Sequence, residues 1–482
     1  MKKLFLFIVL ILTIELKAQE PVENWSSSDY FLTENWHGQF NSVIGTSDGG
    51  ALATGEFDTE KRFLFLKVDA NGNELWRYTA EVPGAQKIAG TEVIELASGQ
   101  YVGVGYYINS MGFNMGYMIR FSPFGVKLQE VTRSEGTDGY SRLYTVFQSP
   151  IGDLLAGGTT YIINGFNHYS PWMLKTDPSF EEEWSINSEG LAGKIISGLT
   201  LTYGGKTRHF FVRYADPSHG SMYKLLHTSS YKDNGDIDSY MHSHFDEYGG
   251  SITKSAQGFS QVSATETLLV GDIYIRKLMI RKFKYVSGEG YPLVFGDVYG
   301  GNGEVWASDG GRQIVETPDG GLAFVATTNS SDLPGYKGKK DMYVGKVNGN
   351  TGAVIWQKCF GVVNLDDWGL SIDNTRDGGL IVSGRRRDNR PWLMKLGGTM
   401  STNELNANEI SVYPNPVRDL LTINSDKPVE KVEIFNMAGQ KMNQVSKIID
   451  NKLNVSVLTP GTYVLKIYIN GGKMKTTKFI KK

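Results

Sequence analysis

A single cysteine, Cys359, stands in 482 residues, which excludes an internal disulfide framework. Its setting, Val354-Ile355-Trp356-Gln357-Lys358-Cys359-Phe360, reads as a strand, so the thiol is expected as a small buried apolar group and not as a nucleophile. The net charge is only −2, but it is unevenly spread. Residues 410–482 carry 12 Lys and Arg against 5 Asp and Glu, whereas residues 19–409 carry 34 against 45. An acidic body disfavours nucleic acid as a partner, and the change of sign near residue 400 marks a domain boundary. Long apolar runs are missing beyond the N-terminus, so the mature chain is expected to have no transmembrane segment. No Gly-x-Ser-x-Gly, Walker loop or His-Glu-x-x-His occurs, and no cofactor, metal or catalytic group is assigned.

The one apolar run lies at the start. Lys2-Lys3 precede residues 4–16, which are broken only by Thr13 and Glu15, and Lys17-Ala18-Gln19 offers a small residue for cleavage. Residues 1–18 are therefore expected to be a secretory signal peptide, too short to span a bilayer. No cysteine lies near the cut, which argues against a lipoprotein anchor.

What the chain has in quantity is glycine, 57 residues without a three-residue period, and aromatics, 25 Tyr and 23 Phe. Glycine at turns with aromatics between them suits many short strands. Ser47-Asp48-Gly49-Gly50 and the apolar run after it recur at Ala97-Ser98-Gly99-Gln100, Pro150-Ile151-Gly152-Asp153, Pro318-Asp319-Gly320-Gly321 and Arg376-Asp377-Gly378-Gly379. Asp-Gly and Ser-Gly between apolar runs are hairpin turns. A second marker, two mostly apolar residues and a base, ends at Lys67, Arg120, Lys175, Lys224, Arg281, Lys346 and Lys395, at spacings of 53, 55, 49, 57, 65 and 49. A third places Trp76 and Trp356 four residues after Gly72 and Gly352, with Trp184 in the same place but lacking the glycine. Such repeats predict an all-β protein: a seven-bladed β-propeller over residues 19–396, followed by a small β-sandwich. The seventh copy ends after three strands, and residues 29–36 are expected to supply the fourth, because an open ring exposes an edge.

The glycine-tryptophan spacing resembles the tryptophan-docked propellers of the quinoprotein-dehydrogenase-like group, across residues 29–397. The resemblance implies a structural use for the tryptophans; polar ligands for a quinone cannot be located. Residues 397–409 are small and polar, a linker by composition. Beyond them, strands are expected at 410–413, 420–423, 431–436, 453–457, 462–469 and 476–480. Val412-Tyr413-Pro414-Asn415-Pro416, the run 432–440 ending at Gly439-Gln440, Pro460-Gly461-Thr462-Tyr463 and the tail Phe479-Ile480-Lys481-Lys482 resemble the type A C-terminal sorting domain of the type IX secretion system. That resemblance implies export across the outer membrane, with the type IX machinery as partner. The protein is then released or held at the cell surface.

Candidates for chemistry are few. His242, His244 and Asp246 alternate along a strand and are the best metal candidates, but a three-residue pattern is weak and polar residues on an exposed strand face are the favoured explanation. Asp233-Asn234-Gly235-Asp236-Ile237-Asp238 has the opening of a calcium loop but sits where a hairpin turn belongs. The recurring bases are read as props between blades, not as an anion channel. Connectors entering the blades carry Trp36, Tyr140, Trp306, Asp366 and Trp368, and propeller connectors gather on one face. Aromatic rings with carboxylates suit sugar faces or peptide chains, and rim packing is the competing explanation. Two functions follow: a secreted or displayed binding propeller for a glycan or protein ligand, or a polysaccharide-acting hydrolase or lyase with face carboxylates.

Overall fold

A computed structural model describes residues 21–27, 37–57, 62–135, 139–162, 168–187, 192–203, 205–215, 225–245, 247–268, 274–308, 310–386, 390–397, 410–425, 429–437, 440–442, 448–449, 451–469 and 473–482. Every element named in it is a β-strand. In the body the strands form consecutive antiparallel meanders. Sheet I comprises Gly38–Gly45, Ala51–Phe57, Arg62–Val68 and Glu74–Ala80; sheet II, Lys87–Glu95, Tyr101–Ile108, Asn114–Phe121 and Lys127–Arg133. Sheet III comprises Ser141–Gln148, Leu154–Ile162, His168–Thr176 and Glu182–Asn187; sheet IV, Lys194–Tyr203, Lys206–Ala215, Leu225–Tyr231 and Ile237–Phe245. Sheet V comprises Glu247–Ser255, Gly258–Leu268, Tyr274–Lys284 and Leu293–Tyr299. In sheet VI the first position is split between Val305–Trp306 and Ile314–Glu316, ahead of Leu322–Thr328, Asp341–Val347 and Val354–Phe360. Sheet VII contains Trp368–Asn374, Leu380–Arg385 and Pro391–Leu396.

Alternate side chains of a strand leave on opposite faces, and each sheet is covered on both, so its strands read as unbroken apolar runs. Phe63 and Phe65 pack toward sheet II, while Leu64 and Leu66 pack toward sheet VII. Similar cores join II to III, III to IV, IV to V, V to VI and VI to VII. The cores therefore run in a closed cycle, the arrangement of a β-propeller. Cys359 is buried in the core between sheets V and VI, and burial pushes its thiol up to about 12.

The two sequence markers recur together because they touch. The turn aspartate of a sheet holds the base of the same sheet: Lys67 with Asp48 at 3.0 Å, Lys175 with Asp153 at 3.0 Å, Lys346 with Asp319 at 2.6 Å and Lys395 with Asp377 at 2.6 Å. Lys346 pulls the Asp319 carboxyl down to about 2. Arg281 instead pairs with Glu247. Four of the bases are thus paired within their own sheet, while Lys175 also reaches Asp233 of sheet IV and Arg120 donates to Pro178 O of sheet III, which props one sheet on the next; Lys224 lies outside the described residues.

The third marker docks neighbours. Trp76 Nε1 donates to Pro123 O at 3.1 Å and its ring covers Gly125, while Trp184 Nε1 donates to Asp233 O at 2.9 Å beside Gly235. Where copy three lacks the glycine, Phe180 takes the left-handed conformation itself, at φ 62°. Asp233 to Asp238 form the expected hairpin turn: Lys232 N donates to Asp236 O at 2.8 Å, and Asp233 Oδ1 accepts from Lys175 Nζ at 2.9 Å.

Ring closure differs from expectation in one respect. The strand paired with Pro391–Leu396 is Glu23–Ser26, not residues 29–36, whose placement lies outside the described residues. Trp25 is the reason: its indole enters the core of sheets I and VII, Nε1 donates to Ala70 O at 3.0 Å, and the ring covers Gly72. The closing strand thus repeats the docking of Trp76 and Trp184 one step round the ring.

The C-terminal domain stacks two sheets: Ile410–Tyr413, Leu420–Ser425, Lys452–Asn454 and Ile448–Ile449 in one, and Val429–Asn436, Gly461–Ile469 and Lys473–Lys481 in the other. Leu421, Ile423, Ile434, Leu453, Leu465 and Phe479 form its core.

Candidate functional site

Trp306 ends the short first strand of sheet VI, and Trp368 begins the first strand of sheet VII. The two connectors bring these indoles together, with ring centroids 6.4 Å apart and planes at 57°. The loop before Asp341–Val347 sends Lys340 between them, its Nζ 4.4 Å from the Trp306 centroid and 4.3 Å from that of Trp368. Arg276 lies over Trp306 at 5.3 Å and Arg385 over Trp368 at 5.6 Å. Cations over indole faces are held by the ring quadrupole, so a half-buried ladder of alternating charge and ring results. Asp366 joins through its backbone, which bridges to Lys340, while its carboxylate remains half-buried.

Two buried acids support the ladder from behind. Asp341 Oδ2 accepts from Lys337 N at 2.6 Å, and Asp367 Oδ2 accepts from Val362 N at 2.6 Å, so each carboxyl ties down its own loop. Asp367 N donates to Lys340 O at 2.7 Å, locking the two loops together. Both carboxyls close on the α-carbon of Gly361, where an added Cβ would meet Asp341 Oδ1 at 2.0 Å and Asp367 Oδ2 at 2.9 Å. Burial, reinforced by the charge of Asp367, pushes the Asp341 carboxyl up to about 6.

Tyr140 is not part of this ladder. It packs against Tyr169 at 5.0 Å and Tyr161 at 6.5 Å, with Arg142 over it at 4.9 Å and over Tyr106 at 4.1 Å. Burial pushes its phenol up, so it stays protonated. The connectors thus build two separate aromatic–cationic clusters, one across sheets II and III and one across sheets V to VII. Trp36 lies outside the described residues. So do the side chains of His242 and His244, and all of Asp246.

One group of residues escaped the sequence reading. A cavity of about 480 Å³ is lined by inner strands of sheets I to V and VII, together with Arg312, and holds Glu92, Arg312 and Asp373. Arg312 Nη1 donates to Asp373 Oδ1 at 3.2 Å, and Asp373 Oδ2 accepts from Gly45 N at 3.2 Å. Burial pushes both the Glu92 and Asp373 carboxyls up, against the pull of Arg312. Glu92 Oε2 accepts from Val146 N at 2.9 Å, the task that Ser197 performs for Ile252 and Ser371 for Val43. Glutamate where other sheets carry serine was the available signal.

In the C-terminal domain the two ends of the sorting motif meet. Asn415 Oδ1 accepts from Ile480 N at 2.8 Å, and Lys482 N donates to Val417 O at 2.8 Å. Tyr413, Pro414 and Pro416 are exposed beside them. Tyr463 is buried and stacked on Phe479 with centroids 5.6 Å apart, and Gly461 pairs with Lys481. Gly439 lies outside the described residues.

These features define an all-β protein, a propeller body of predominantly four-stranded sheets joined to a β-sandwich. Residues 411–482 match the secretion system C-terminal sorting domain, which marks the chain for the type IX machinery and for export to the cell surface or beyond. An ulvan lyase of Nonlabens ulvanivorans is 24% identical over 237 residues, covering 46% of this chain and 42% of that protein. The chain thus matches less than half the length of this relative. Among solved structures, the β-propeller domain of the Trilobed protease of Pyrococcus furiosus aligns with TM-score 0.42 and 11% identity, over 75% of this chain and 94% of that one. A Drosophila Plexin A in complex with Semaphorin 1b aligns with TM-score 0.42 and 9% identity, over 79% and 88%. Among the described residues no helix is long and apolar enough to cross a membrane.

Proposed function

We propose that the chain is a binding propeller, exported after removal of residues 1–18, which presents the connector face of sheets V to VII to a glycan. Residues 19–396 are read as seven blades whose docked tryptophans follow the quinoprotein-dehydrogenase-like pattern. Residues 397–409 link them to the sorting domain. The observation that carries the reading is the Trp306–Lys340–Trp368 ladder, because half-buried indoles at strand ends beside the connectors supply flat surfaces for sugar rings. The test is a glycan and protein array probed with the full chain and with Trp306→Ala/Trp368→Ala. Glycan binding lost in the double variant, at unchanged folding, supports the reading; a protein ligand, or binding that survives, rejects it.

A second reading is favoured by the ulvan lyase relative and by the acids of the central cavity: a polysaccharide-cleaving enzyme using Glu92 and Asp373. Release of new reducing ends from polysaccharide by the wild-type chain, but not by Asp373→Asn, would establish it.

A further inference from the structure

The ladder is as much cationic as aromatic, and that narrows its ligand. Arg276, Trp306, Lys340, Trp368 and Arg385 follow one another in space, each cation within 5.6 Å of the ring beside it. Successive cations are therefore no more than about 10 Å apart, comparable with the length of a disaccharide unit. Arg276 is paired with Glu304 at 3.4 Å. Among the described residues, Lys340 and Arg385 have no carboxylate partner. The bases of the repeat markers contrast with them, since four are neutralised by turn aspartates.

The same loops concentrate positive charge further. Lys337-Gly338-Lys339-Lys340 enters the third strand of sheet VI, and Arg385-Arg386 leaves the second strand of sheet VII. Asp341 and Asp367, which adjoin Lys340 and Trp368 in sequence, are fully buried and turned to their own loops, and Glu304 is held by Arg276; Asp309 and Asp388 lie outside the described residues. A local basic surface thus stands on a body in which acids outnumber bases. Holding a cation against two indoles costs side-chain entropy, and an ordinary rim lysine has no need of it. The indoles also fix where the charge is offered, which a flexible surface lysine does not.

We infer that this face binds an anionic polysaccharide, one bearing uronate or sulfate groups. The indoles stack on sugar faces, and Lys340 and the flanking arginines meet acid groups on alternate residues. The inference rests on the glycan-binding reading and specifies its substrate class.

The test uses the full chain with polygalacturonate and with its fully methyl-esterified form, which keeps the sugar backbone and carries no charge on its uronates. Inorganic polyphosphate serves as a polyanion without sugar rings. The acid polymer is expected to bind at least about fivefold more tightly than the ester, with a preference that shrinks as salt is raised. Lys340→Met, which removes the charge and keeps an unbranched stem, should narrow the preference for the acid polymer over the ester. Lys340→Arg should restore it. Equal binding of acid and ester, unmoved by Lys340→Met, overturns the inference and leaves the glycan reading standing. Polyphosphate bound as tightly as polygalacturonate also overturns it, because the rings then contribute nothing. If neither saccharide polymer binds and the array yields no glycan, the glycan reading itself falls.

Discussion

Replacing Trp25 by alanine tests how the ring is held shut. The indole is half-buried in the core of sheets I and VII, covers the α-carbon of Gly72, and donates one hydrogen bond to Ala70 O at 3.0 Å. A fully buried tryptophan truncated to alanine costs about 3–5 kcal/mol, and half burial scales this to about 2–3 kcal/mol, the hydrogen bond included. Unfolding entropy is about 2 cal/mol/K per residue, so a body of this size loses only about 3–4 °C in Tm. Trp25→Phe keeps most of the packing and loses the hydrogen bond, and should cost about 1 °C. Scanning calorimetry of the two variants beside wild type reads both shifts. A Trp25→Ala Tm within about 1 °C of wild type would show that the N-terminal strand adds nothing to closure.

Removing residues 21–27 altogether exposes Pro391–Leu396 as an edge and should lower Tm further, with aggregation followed by light scattering. Trp306→Ala with Trp368→Ala should weaken the ligand found by the array several-fold while Tm changes little, because stacking on one ring is worth about 0.5–1.5 kcal/mol and both rings lie half-buried at strand ends beside the connectors. Unfolding of this double variant would make the indoles packing residues. The Asp341 carboxyl is held near 6 against 3.8 in the unfolded chain, so its contribution to stability is complete below about pH 4 and fades as pH rises through 6. The loss is at most about 3 kcal/mol, and Asp341→Asn should flatten the dependence of Tm on pH between 4 and 7; an unchanged profile would place the titration elsewhere. Deleting residues 410–482 should leave folded body in the periplasm, detected by fractionation, and normal surface delivery would contradict the sorting assignment.

The all-β class, the repeating sheets and the sorting domain were legible because their signals are local. A hairpin needs its glycine within a few residues of the strands it joins: Gly49, Gly99, Gly152, Gly320 and Gly378 all take positive φ, as their turn motifs required. The turn aspartate and the recurring base lie on strands of one sheet, so their pairing left a visible period. The sorting motif likewise reads in order along one short segment. For the site, the sequence supplied Trp36, Tyr140, Trp306, Asp366 and Trp368 as residues expected to share a face, of which Trp306 and Trp368 meet and the backbone of Asp366 lies beside them, while Tyr140 does not join them.

Contacts between chain segments far apart were settled only in three dimensions. Lys340 appeared in sequence as one of three neighbouring bases, yet packing between sheets VI and VII places it alone between two indoles. Tyr140 shares a connector position with Trp306 but joins another cluster, because the intervening sheets set the spacing around the ring. Glu92 and Asp373 meet in one cavity though 281 positions separate them. The closing strand was misread for the same reason: residues 29–36 have the richer aromatic pattern, but four residues around Trp25 fit the groove beside Gly72. Local propensity selects the strands, whereas the partner of a strand at a ring's seam depends on which side chain fills a gap formed by the rest of the fold.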